Sequence, residues 1–184
     1  MGVDRLAEEH SVRIRWRAFP LRPGIPVGGL PLEEALDADP DEAWAVVRSL
    51  RDTAAEFGLP FGELRRVSNS RLAQELAAWA ASRGRERAAH DALFRAFFVE
   101  GKDIGDVGVL GALAEDAGLG RGEAIRALEA RSFGELVDAD WARSRELGIR
   151  VAPTFLRAGR RLEGVKPYDV LEAWFRGDTL SNSF

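Results

Sequence analysis

Ile149-Arg150-Val151-Ala152-Pro153-Thr154-Phe155-Leu156 is an extended run interrupted by a proline, and the residues around it set the fold. Ala158-Gly159-Arg160 reads as a hairpin turn, with Arg161–Gly164 as the return strand. Pro167 then opens a helix with Val170, Leu171, Trp174 and Phe175 on one side, and Gly177 stops it.

Upstream of this run the pattern is helical. Gly134–Leu147 carries Leu136, Val137, Trp141 and Leu147 as its apolar positions, with Gly148 behind it. From Asp37 the 3.6-residue period holds for about a hundred residues. Asp39-Pro40-Asp41-Glu42 reads as an N-cap, a proline at the first helical position and an acidic third position. Trp44, Val47, Leu50, Ala54 and Phe57 form the face of that helix, and Gly58 ends it. A second helix follows Asn69-Ser70, with Leu72, Ala73, Leu76 and Ala80 inward. A third spans about Glu86–Glu100, with Leu93, Phe94, Phe97 and Phe98. A fourth starts after Asp106 with Leu110, Leu113 and Ala114 and ends at Gly118, and a fifth covers Gly122–Ala130. The short gaps imply antiparallel neighbours and a compact helical subdomain.

Phe19 to Pro31 holds Pro20, Pro23, Pro26 and Pro31 with Gly24, Gly28 and Gly29, so it reads as a connection rather than an element. Before it, Ser11–Ala18 alternates strictly: Val12, Ile14 and Trp16 point one way, Arg13, Arg15 and Arg17 the other. That period of two predicts a half-exposed strand. The arginines read as guards of a strand edge, with an anion site as the alternative. Val3, Leu6 and Ala7 place the first ten residues in the tail of a helix. Without the helical block, the order is αβ–αββα.

Composition narrows the function. Of 184 residues, 46% are hydrophobic and 30% charged, as in an ordered globular domain. The net charge of −4 offers no basic excess for nucleic acid. No stretch is long and apolar enough to span a membrane, and Met1–His10 has no apolar signal-peptide core, which makes the cytoplasm the default compartment. Cysteine is absent, which excludes disulfides, thiolate zinc sites and a cysteine nucleophile within these residues. His10 and His90 lie far apart without ligand spacing, so no metal site is expected.

Several motifs together resemble the DsbA-type branch of the thioredoxin fold, in particular its FrnE-like members. Val151-Ala152-Pro153-Thr154-Phe155 is similar to the V-P-T segment of that fold. Leu59-Pro60-Phe61, Asn69-Ser70-Arg71-Leu72-Ala73, Ala92–Phe98, Gly101-Lys102-Asp103-Ile104 and Gly164-Val165-Lys166-Pro167 are similar to the helical insertion and closing segments. The related 2-hydroxychromene-2-carboxylate isomerases share much of this plan. The resemblance implies an α/β fold: a thioredoxin-like core from residues 1–32 and 133–184, its first strand missing, with residues 33–132 as an inserted helical subdomain. It also implies a cis bond before Pro153, and a substrate or glutathione contact at Ala152, Pro153 and Thr154. Asn69 fits a position that can touch glutathione in the isomerase relatives; a helix cap by Asn69 or Ser70 is the competing reading.

Family members begin with a strand leading into C-x-x-C, or a serine variant of it. Here Met1 falls within the helix that should follow, so both are expected upstream of Met1, and no catalytic residue carries over. Losing a central strand strands backbone groups at a cost on the order of 10 kcal/mol, so an intact monomeric thioredoxin domain is not expected. The resemblance implies a thiol–disulfide oxidoreductase homologue, redox-inactive as this cysteine-free chain stands. A glutathione-dependent isomerase or transferase and a non-catalytic peptide-binding module are the alternatives. The implied partner is a thiol- or disulfide-bearing peptide or a glutathione-like small molecule, with glutathione as the one cofactor to consider, no nucleic acid or membrane, and a homodimer left open. Lys102 and Asp103 read as a solvated loop, His10 as a helix end, His90 as a packing or surface residue, and the tryptophans as packing residues.

Overall fold

The computed structural model describes residues 2–178. In chain order these form α1 (Gly2–Glu9), β1 (Leu30–Pro31), α2 (Leu32–Leu36), α3 (Pro40–Glu56), β2 (Arg66–Val67), α4 (Arg71–Ala81), α5 (Glu86–Phe98), α6 (Val107–Asp116), α7 (Arg121–Glu129), α8 (Gly134–Glu146), β3 (Thr154–Arg157), β4 (Arg160–Glu163) and α9 (Tyr168–Arg176). The chain divides into two compact units: residues up to Leu21 together with those from Asp140 onward, and Arg22–Ala139.

The first unit is built on the β3–β4 hairpin, paired from Thr154–Glu163 to Arg157–Arg160. Its loop is two residues, Ala158 and Gly159, at φ of 47° and 78°. Positive φ at both positions suits the right-handed twist of the strands. Phe155 and Leu162 lie opposite one another in the ladder and share a face. That face packs with Leu6 of α1 and with Leu171 and Trp174 of α9, flanked by Val3, Tyr168 and Phe175. The spacing of Leu171, Trp174 and Phe175 puts all three on one side of α9, and Gly177 ends the helix at φ 94°.

The second unit centres on α4 to α7, whose core includes Leu76, Trp79, Leu93, Leu110, Leu113 and Leu128. A smaller core joins Leu32, Ala43, Val47 and Leu64. Asp39 and Asp106 accept the amides of Glu42 and Val109 at 2.9 and 2.8 Å and so cap α3 and α6. Gly62 lets the loop approach α5: a Cβ there would lie 2.1 Å from the carbonyl oxygen of Val99.

Four expectations are corrected. Ser11–Ala18 enters no ladder among the described residues. Its alternation holds as sidedness only over the first half: Val12 and Ile14 are half-buried and Arg13 and Arg15 exposed, but Trp16 is exposed as well. The stretch read as a plain connection ends in β1, which pairs antiparallel with β2 through Leu30–Val67 and Pro31–Arg66, and α2 follows it at once. The return strand begins at Arg160, since the turn needs two residues and not three. Leu50, Phe57, Phe94 and Leu136 are exposed, because the buried stripes are narrower than the apolar periodicity: Ala43 and Val47 carry α3, Leu93 and Ala96 carry α5, and Val137 carries the start of α8.

Candidate functional site

Among the expected site residues, Ala152, Pro153 and Thr154 fall in the first unit and Asn69 in the second. The segment before β3 is shaped by its own backbone. Gly148, at φ 63°, turns the chain out of α8, and Ile149 closes that end by donating to Ser144 O at 2.9 Å. Arg150, Val151, Ala152 and Pro153 are all exposed. The Ala152–Pro153 peptide is cis. Thr154 Oγ1 donates to Val151 O at 2.6 Å and ties the bend together.

Gly164 N donates to Pro153 O at 2.8 Å, one step beyond the terminal Thr154–Glu163 pair. Antiparallel alternation then turns the amides of Thr154 and Leu156 to the outer edge of β3. Among the described residues β3 pairs with β4 alone, so this edge carries no second strand. Arg161, on the same face as Leu156, donates to the carbonyls of Leu147 and Gly148 at the end of α8. Arg157 Nη1 donates to Phe175 O at 2.6 Å, and the guanidinium carbon lies 4.0 Å from the centroid of the Phe175 ring.

Asn69 is committed within the second unit. Its Nδ2 donates to Ile25 O at 2.6 Å and its Oδ1 accepts from Arg71 N at 2.9 Å at the start of α4. Ser70 Oγ accepts from Gln74 Nε2 at 3.2 Å and makes no cap bond. In the same unit, a cleft of about 270 Å³ is lined by Gly28, Gly29, residues 63–68, Phe97 and residues 100–103. Two of its cations are paired locally, Arg65 with Glu63 at 2.8 Å and Lys102 with Glu100 at 2.7 Å, and Arg66 donates to Gly28 O at 3.0 Å. His90 is half-buried beside Phe94, and burial pushes its pKa below the ordinary histidine value.

Glu9, His10 and Glu172 bring potential ligand atoms within 4.8 Å of one another. The group is already satisfied by hydrogen bonds that join the end of α1 to α9 and by arginines on each helix. His10 Nε2 lies 3.2 Å from Glu172 Oε1, Arg176 2.6 Å from the same oxygen, and Arg5 2.8 Å from Glu9 Oε1. The Tyr168 hydroxyl donates to Glu9, which pushes the phenol up to about 12.

Two buried carboxylates escaped the sequence reading. Glu75 is held by Arg71 and Arg131, and Asp140 by Arg17 at 2.6 Å and by the amide of Ala18 at 3.0 Å. For Glu75 the one local signal is the i,i+4 spacing from Arg71.

The profile of the DSBA-like thioredoxin domain matches residues 1–175. The chain belongs to this family. The DsbA-like assignment agrees with the solved structures. The fold matches a 2-hydroxychromene-2-carboxylate isomerase with a TM-score of 0.71 at 20% identity, covering 95% of this chain and 84% of the other. It also matches a Nitrosomonas europaea protein described as a candidate protein disulfide isomerase, with a TM-score of 0.68 at 16% identity, covering 96% and 89%. At these identities the likeness establishes the thioredoxin-like fold. The uncharacterized protein YwbO of Bacillus subtilis (strain 168) is 27% identical over 165 residues, 88% of this chain and 80% of its own length. No helix among the described residues is long and apolar enough to cross a membrane.

Proposed function

We propose that this DsbA-family chain binds an extended thiol- or disulfide-bearing peptide, glutathione being the smallest, along Val151–Thr154. With its own residues it carries out no thiol–disulfide exchange. The observation that carries this reading is the exposed backbone run Arg150–Pro153 leading into β3, in a sequence without a single cysteine. An exposed extended run offers main-chain donors and acceptors to an added peptide, the usual basis of capture by β-augmentation. Exchange requires an attacking thiolate, and none is available here. A cytoplasmic setting accords with a chain that holds no disulfide.

A second reading is a glutathione-dependent isomerase or transferase, in which the bound cofactor supplies the thiol. It draws on the likeness to 2-hydroxychromene-2-carboxylate isomerase, which carries the fold alone, and so ranks below the first.

Two measurements on the purified chain test the proposal. Calorimetry with glutathione and with a short cysteine-containing peptide should give saturable heats, and dithiothreitol-driven insulin reduction should stay at the background rate. Insulin turnover above background, or no heat with either ligand, would overturn it.

A further inference from the structure

The ends of α4 and α7 bring two arginines to one cleft of the second unit. Trp79 lies in the last turn of α4 and Arg83 follows four residues later, so helical spacing returns Arg83 to the indole. Its guanidinium carbon lies over the ring, 4.1 Å from the centroid. That contact holds the guanidinium without consuming its N–H donors. At the end of α7, Arg131 takes a φ of 51° and Ser132 N donates to Ala127 O at 3.0 Å, which stops the helix. Trp79, Arg83, Glu123, Arg126, Ser132 and Phe133 line a cleft of about 480 Å³, a volume usual for small-molecule sites. All six belong to the second unit.

The donors of this cleft are incompletely used. Arg126 is exposed, and no acid pairs with it among the described residues. The Ser132 hydroxyl makes no hydrogen bond among them either. Glu123 lies 3.8 Å from Arg83 Nη2, beyond the hydrogen-bond reach of about 3.2 Å. Arg83 Nη1 makes only a long contact of 3.4 Å with Ser82 Oγ. Two guanidinium forks and a hydroxyl against one carboxylate leave positive charge in excess. They also offer more donors than the two oxygens of a carboxylate ligand can take. A phosphate monoester presents three acceptor oxygens and about two negative charges, which suits this set. We infer that the cleft binds a small phosphomonoester, its phosphate held by Arg83, Arg126 and Ser132 and its apolar body against Trp79 and Phe133.

The test is calorimetry of the full chain at neutral pH and low salt with phenyl phosphate, inorganic phosphate and phenol. Phenyl phosphate should bind saturably and about fivefold tighter than inorganic phosphate, and phenol should give no saturable heat. Arg126→Gln and Arg83→Gln should each weaken phenyl phosphate about five- to twentyfold. Glu123→Gln, which removes the carboxylate that repels the ligand, should tighten it about two- to threefold, a gain that a damaged fold would not produce. No saturable binding of phenyl phosphate, equal affinity for inorganic phosphate, or an affinity that neither arginine substitution lowers would overturn the inference.

Discussion

Arg131 grips the buried Glu75 carboxylate with two nitrogens, Nη2 at 2.6 Å from Oε1 and Nε at 2.9 Å from Oε2. Arg71 adds Nε at 2.7 Å, and itself reaches Asp138 at 2.6 Å and the carbonyl of Gly134 at 2.8 Å. Glu75 is 1% exposed, so removing it leaves two guanidinium groups without their shared anion. Full loss of a partner from a buried pair costs about 3–5 kcal/mol. Here Arg131 is half exposed and can recover hydration, so Glu75→Ala should lower unfolding stability by about 2–4 kcal/mol. Glu75→Gln, which keeps the shape, should cost less. Urea denaturation at neutral pH reads both.

The same group predicts a pH dependence. Burial opposes its charge, but hydrogen bonds from Arg131 and Arg71 outweigh burial and hold its pKa below the ordinary 4.5. A folded-state value below the unfolded one means the stabilisation is complete above about 4.5 and is lost as pH falls through the folded value. The wild-type chain should therefore lose more stability on acidification below 4.5 than Glu75→Gln does. Parallel losses in the two proteins would refute this.

Asp140 holds the N-terminal extended segment by the Arg17 guanidinium and the Ala18 amide. With no ladder among the described residues to restrain Ser11–Ala18, this anchor should govern how often the segment opens. Asp140→Ala should speed tryptic cleavage after Arg13 and Arg15 severalfold while leaving the hairpin intact. Mass spectrometry of early fragments identifies the sites.

These groups mark the boundary of what was legible in the sequence. Local signals were sufficient for the helices: Asp39 and Asp106 cap as their positions suggest, and Gly58 and Gly118 sit where α3 and α6 end. The hairpin was legible from its turn residues. Alternation at Ser11–Ala18 tells nothing about a neighbouring strand, and it matches burial only at Val12 and Ile14. Glu75 and Asp140 stayed hidden because Arg131 and Arg17 lie 56 and 123 residues away in sequence. Exposure of Ala152 and Pro153 ahead of β3 could be anticipated from the proline-broken run. The bond from Asn69 to Ile25, 44 residues distant, could not.

Ala158 occupies a left-handed conformation at φ 47° in the hairpin loop, where a Cβ is disfavoured. Ala158→Gly removes that penalty, and Ala158→Asn creates the Asn-Gly pair that this turn prefers. Each should stabilise the chain by about 0.5–1 kcal/mol, a rise of a few degrees in Tm. A thermal melt that falls for both would mean the loop adopts another geometry.

Trp174 is 5% exposed between α9 and the hairpin, and its Nε1 has no hydrogen-bond partner among the described residues. A buried donor left unpaired costs about 1–3 kcal/mol. The ring itself contributes by packing with Leu6, Leu162 and Leu171, and tilts against Phe155 at a centroid distance of 6.3 Å. Replacing indole by phenyl removes the unpaired donor along with part of that packing, and the two effects oppose each other. Trp174→Phe should therefore change stability by about 1 kcal/mol or less, whereas Trp174→Ala, which keeps neither effect, should cost about 3–5 kcal/mol. Urea midpoints for the two variants separate the cases. A loss with phenylalanine as large as with alanine would mean that the indole N–H is satisfied in solution.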